Sequence, residues 1–155
     1  ASSKMNNPDW LDFAGIQLYP RDHKEYPWEV LHHATHTMVN LSTGHYITSN
    51  NITYNKSIHF SSDYPNYPDS FSGRYKAFDL PDTEIFLNQI FTGHKNKKLL
   101  FGVTTGDKSI MQPTSGWYQK TGQGWLFYYQ AGHNLSDFKN KNFRQILLNT
   151  LQWEP

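Results

Sequence analysis

Apolar and polar positions along the chain change period several times, and each change marks an element. Residues 13–18, Phe-Ala-Gly-Ile-Gln-Leu, make a short apolar run bounded by polar residues and by Pro20, the pattern of a buried strand. Pro27 stands just before Trp28, Leu31, Thr35 and Met38, whose spacing predicts a helix with proline in its first turn. Residues 47–54 are broken by Ser49-Asn50-Asn51, so the alternation of Ile52, Thr53 and Tyr54 supports only a short strand. Pro65, Pro68 and Gly73 make 61–73 an irregular surface loop.

The second half has the cleaner pattern. Residues 84–90 and 99–104 are strands, separated by a turn at 93–97, and read as antiparallel neighbours. Gly106-Asp107 marks a turn and 117–119 a further strand. Gly122-Gln123-Gly124 then leads into 125–130, Trp-Leu-Phe-Tyr-Tyr-Gln, which is apolar on both faces, as an interior strand would be. Over 142–153, Phe143, Ile146, Leu147, Thr150 and Leu151 fall on one stripe of a helix turned to the sheet. Nothing in the chain repeats.

Composition narrows the classes. A chain of 155 residues is one ordinary domain. With no Cys, disulfide frameworks and thiolate metal sites are excluded. A net charge of +1 gives no field to gather a polyanion, so no nucleic-acid partner is expected, and Lys95, Lys97 and Lys98 read as a solvated turn. No apolar run is long enough for a membrane helix, and residues 1–10 lack a signal-peptide pattern, so the expectation is a cytoplasmic domain with no membrane partner. In that setting the sequons at Asn40, Asn51, Asn55 and Asn134 are read as chance.

Several residues have chemistry to offer. His133 follows a strand and precedes a helix, where α/β sheets bind ligands, so it is either a general acid or base or a hydrogen-bonding turn residue. His32 and His36 are four apart on the predicted helix and would bind metal only with a ligand from elsewhere, such as His94; the alternative is a partly exposed histidine face. Asp79, Asp82 and Glu84 crowd one strand, with Asp82 and Glu84 on the same side, as an acid–base pair or as a charged cap. Trp117, Tyr118, Trp125, Tyr128 and Tyr129 are either a sugar-stacking surface or core. No nucleophile elbow, phosphate loop or dinucleotide fingerprint is present.

Residues 122–133, Gly-Gln-Gly-Trp-Leu-Phe-Tyr-Tyr-Gln-Ala-Gly-His, resemble the C-terminal part of the trehalose-utilisation, or ThuA-like, family: a G-x-G turn, an aliphatic-aromatic strand, a Gly-His pair and a closing helix. Residues 143–153 look like that helix, including Trp153 near its end. Residues 81–86 are similar to the family's acidic D-E-x-Y segment, with Glu84 retained, Thr83 for the first acid and Phe86 for the Tyr. Residues 13–18 look like its G-x-H strand, and 26–28 like the aromatic start of the following helix. The match runs over about residues 13–153, and the last thirty carry its specificity.

The resemblance implies a class I glutamine-amidotransferase-like, flavodoxin-like α/β three-layer sandwich, lacking its N-terminal strands and carrying an antiparallel β extension. It implies a single domain that is the C-terminal part of a larger one, completed by a longer chain, a partner or self-association. Gln17 replaces the family's strand His, Tyr64 precedes Pro65 where His-Pro is expected, and the region of Thr48 and Ser49 lacks a further His. With no Cys, amidotransferase chemistry is excluded. The expectation is a protein that acts on or binds a small sugar or keto-sugar without a cofactor or metal. His133 and Glu84 are its acid–base pair, and Gln17, Trp28, Asp82, Tyr129 and Gln130 contact the substrate. A non-catalytic sugar-binding or assembly domain is the alternative.

Overall fold

A computed structural model describes residues 8–18, 20, 22–25, 28–62, 70–93, 96–107 and 110–155. Helix α1 (Pro8–Ala14) leads into β1 (Ile16–Leu18), followed by β2 (Glu29–Asn40), α2 (Tyr46–Ser49), β3 (Lys56–Ser62) and β4 (Phe71–Leu87). Then come β5 (Gln89–Phe91), β6 (Lys97–Thr104), β7 (Met111–Thr121), β8 (Gly124–Tyr129), α3 (Leu135–Lys139) and α4 (Lys141–Gln152). Six strands form one sheet in the order β3-β4-β2-β6-β7-β8, and β1 pairs with β5 in a second. Every one of these pairings is antiparallel.

This corrects the expected flavodoxin-like α/β sandwich, which needs parallel strands joined by crossover helices. Residues 29–40 show why the pattern misled. Their helical spacing competes with Val30, Thr35, Thr37 and Val39, β-branched side chains that pack better on a pleated surface. Long-range pairing with β4 decides in favour of the strand. Residues 47–54 hold α2 and an irregular segment, not a strand. Residues 13–15 close α1, leaving 16–18 as strand. Residues 84–90 belong to β4 and β5, and β4 pairs with β2 and β3 whereas β6 pairs with β2 and β7. Strand β8 is an edge of the sheet, so its apolar character does not mark an interior position. Parts of the expected 61–73 loop, together with Tyr26, Pro27, Tyr64, Pro65 and His94, lie outside the described residues.

The G-x-G turn is found as expected: Gly122, at φ +60, starts the two-residue link between the paired Thr121 and Gly124. Helix α4 also forms, capped by the Asn140 side chain, which accepts from the backbone of Asn142 and Phe143 at 2.9 and 3.3 Å. Its buried side is Asn142, Phe143, Ile146 and Asn149, whereas Leu151 points to solvent. Asn149 reaches the carbonyls of Ile47 and Asn50 at 3.2 and 2.8 Å and ties α4 to α2.

Antiparallel pairing puts directly opposed side chains on one face, and this builds two core layers. Met38 and Phe78 face α4 with Leu80, Leu100, Phe101, Tyr118, Phe143 and Ile146. Their neighbours Val39 and Ala77 face the other way, with Ile58 and Phe60. No helix among the described residues is long and apolar enough to cross a membrane.

Candidate functional site

The ladder between β2 and β4 is regular at both ends and interrupted in the middle. From Leu31–Ile85 to Ala34–Thr83, β2 has one extra residue; from Ala34–Thr83 to His36–Leu80, β4 has one. The two insertions compensate, so the strands return to the same register beyond them. Each bulge carries a non-glycine residue in the left-handed region, His33 at φ +52 and Asp82 at φ +53. Such residues cost free energy, and bulges re-aim the side chains beside them.

On the far side of the bulges the ladder presents a face of mixed apolar and ionisable side chains. Val30 lies opposite Phe86. Alternation then places Trp28 and His32 beside Val30, and Glu84 beside Phe86. These residues and Glu29 line an open cavity of about 630 Å³. At its lip, the Glu84 carboxylate is held between two imidazoles: His32 Nδ1 lies 2.7 Å from Oε1, and His133 Nδ1 lies 3.1 Å from Oε2. Glu84 is 15% exposed, against 66% for His32 and 44% for His133. A carboxylate only accepts, so each imidazole donates its Nδ1–H, and Nε2 carries the lone pair of the neutral ring. This is the tautomer a base needs, fixed by a carboxylate behind it.

His133 is positioned from below. The buried Asp137 of α3 accepts through Oδ2 from the backbone N–H groups of Gly132 and His133, both at 3.0 Å, and Asn134 at 3.4 Å. The same oxygen accepts from Thr83 Oγ1 at 2.7 Å, next to Glu84. One carboxylate therefore locks the loop bearing His133 to the strand bearing Glu84. Asn134 adds a second tie by donating to the Asp82 carbonyl. Gln130 is buried and donates to the carbonyl of Phe86 at 2.7 Å, and Gln112 does so at 3.4 Å.

Of the residues singled out in the sequence, His133, Glu84 and Trp28 are brought to this cavity or its lip, and Gln130 supports its wall. Asp82 is close in the chain but turned outward by its bulge: it pairs with His33 at 2.8 Å and is 68% exposed. Tyr129 lies elsewhere, with its hydroxyl 2.6 Å from Thr150 of α4 and its ring against Phe101; burial raises its pKa to about 12. Gln17 is buried in β1, opposite Ile90 of β5, and does not line the cavity. His32 enters as a partner of Glu84, a role hidden while 28–35 read as a helix.

Because residues 29–40 form β2, His32 and His36 do not share the helical face on which they would have been four apart. His36 is fully buried, with Nε2 3.0 Å from Ser115 Oγ, and burial pulls its pKa down to about 4 against a smaller opposing pull from Asp137. Among the described residues, no group of three or more His, Asp or Glu side chains is arranged to hold a metal ion. The aromatics read as either a sugar-stacking surface or core divide between layers. Trp117 stacks on Tyr128 within the sheet, and Tyr118, Phe127 and Trp125 cluster with Trp153. Comparison with protein-family models, curated proteins and solved structures finds no match to this chain.

Proposed function

We propose that the His32–Glu84–His133 cluster is a proton-transfer site acting on a small sugar or keto-sugar. The observation that carries this reading is the Glu84 carboxylate shared between two imidazoles at the lip of a cavity lined by Trp28 and Phe86. Two Nε2 lone pairs backed by one carboxylate suit removal of a proton from a hydroxyl, or from a carbon next to a carbonyl, and its return to a neighbouring atom. The indole of Trp28 gives a sugar ring an apolar face to lie against.

The test is to incubate the protein with a panel of reducing, non-reducing and oxidised sugars and to follow binding by calorimetry and products by mass spectrometry. His133→Ala and Glu84→Gln should each reduce turnover by about 10²-fold or more, the usual contribution of a general acid or base. Full turnover in both variants would overturn the assignment. Binding without product, lost in Trp28→Ala, would identify a sugar-binding domain instead; its motivating observation is that one wall of the cavity is aromatic.

A further inference from the structure

Lys97 lies outside the Glu84 cluster. Sequence pattern assigned it to a solvated turn, but it opens β6 with only 5% of its surface exposed. Nζ donates to the carbonyl of Thr92 at 2.6 Å and sits 5.3 Å from the ring centre of Phe91 and 5.0 Å from that of Trp117. No carboxylate among the described residues lies within ion-pair distance of it. The ammonium therefore has one carbonyl and two aromatic faces where a buried cation would normally find a counter-charge.

Gly15, at φ +67, makes room for this arrangement, because a Cβ there would overlap Nζ. Lys97 also borders a second cavity, of about 510 Å³, together with Asp12, Gly15, Gly93, Gln119 and Lys120. Asp12 from α1 and Lys120 from β7 are the other charged groups of that lining; the faces contributed by β5 and by Trp117 are neutral. Desolvation of the ammonium lowers its pKa to about 8.

We infer that Lys97 is a reactive amine that condenses with a small aldehyde or ketone entering this cavity. In the first step the Nζ lone pair attacks the carbonyl carbon, and a proton passes from nitrogen to oxygen to give a carbinolamine. The hydroxyl then leaves as water and the nitrogen loses its second proton, so that amine and carbonyl become imine and water with no change of oxidation state. When the imine is protonated, the same two rings that face the ammonium face the iminium.

The test treats the whole chain briefly with propanal and cyanoborohydride, the hydride donor that makes the adduct permanent, and maps the modified lysines by peptide mass spectrometry. At about pH 7.5, Lys97 should react first, roughly tenfold faster than the exposed Lys98 and Lys120, because its amine is desolvated against two rings with no carboxylate beside it among the described residues. Its rate should rise with pH and level off above about 8. Lys97→Arg keeps the cation over the rings and should lose this fast phase alone. Equal reactivity of Lys97 and Lys98, or a fast phase that survives in Lys97→Arg, would overturn the inference. The site map of the unaltered chain decides the question even if the variant does not fold.

Discussion

The two ends of the β2–β4 ladder share a register but differ in surroundings. At the inner end, Thr37, Met38 and Val39 pair with both β4 and β6 and Asn40 with β6; all four are buried. At the outer end, Glu29, Val30, Leu31 and Ala34 pair with β4 and, among the described residues, with no second strand, and Glu29, His32 and His33 are exposed. The inner end is fixed from both edges and can bury a histidine. Among the described residues the outer end has a strand partner on one edge only, and there His32, Glu84 and His133 meet. Stability and the proposed chemistry are thus divided along one pair of strands, with the compensating bulges as the boundary.

The largest effect should come from cutting the tie that holds the His133 loop to β4. Asp137→Ala removes the acceptor for Thr83 and for three backbone N–H groups, and should cost about 3–5 kcal/mol in urea unfolding. A cost below about 1 kcal/mol would show that Asp137 does not anchor the two segments.

Acid should act next, through His36 at the inner end. The folded-state pKa of His36, about 4, lies below its ordinary value of 6.5, so the unfolded chain binds the extra proton between those limits. Its contribution is fully present above pH 6.5 and falls by roughly 3 kcal/mol as pH drops to about 4. Equilibrium unfolding at a series of pH values measures the slope. His36→Gln should flatten it, and an unchanged slope would assign the acid sensitivity to other groups.

The bulges give a smaller, opposite pair of effects. His33→Gly relieves a left-handed histidine and should leave stability unchanged or raise it by up to about 1 kcal/mol, whereas Val30→Gly in the regular outer strand should lower it by about 1 kcal/mol or more. Equal losses in thermal unfolding would mean that the bulge carries no strain. The smallest effect belongs to the exposed His33–Asp82 pair: Asp82→Asn should change stability by less than about 0.5 kcal/mol.

The C-terminal third was the most legible part of the sequence because its structure is local. The Gly122 turn, β8 and α4 are each specified by neighbouring residues. The β2–β4 ladder joins segments about fifty residues apart, as Ala34 and Thr83 show, and its bulges leave no periodic mark in either strand. Glu84, His133 and Trp28 were visible as residue types in suggestive places. Their meeting was not, because a helix over 28–35 offers no ladder to β4, and only the Leu31–Ile85 pairing sets His32 beside Glu84. Lys97 was missed for a related reason: a lysine among lysines looks solvated, and only the fold brings Phe91, Trp117 and Gly15 around it.

The contact between Trp125 and Trp153 has an optical consequence. Their rings meet edge to face at 5.2 Å, with one indole on the outermost strand and the other immediately after α4. Two indoles in a fixed, asymmetric arrangement give a near-ultraviolet circular dichroism signal that vanishes when tertiary packing loosens, even if helix and strand persist. The molecule therefore carries an internal gauge of whether its last helix is seated, readable without a label.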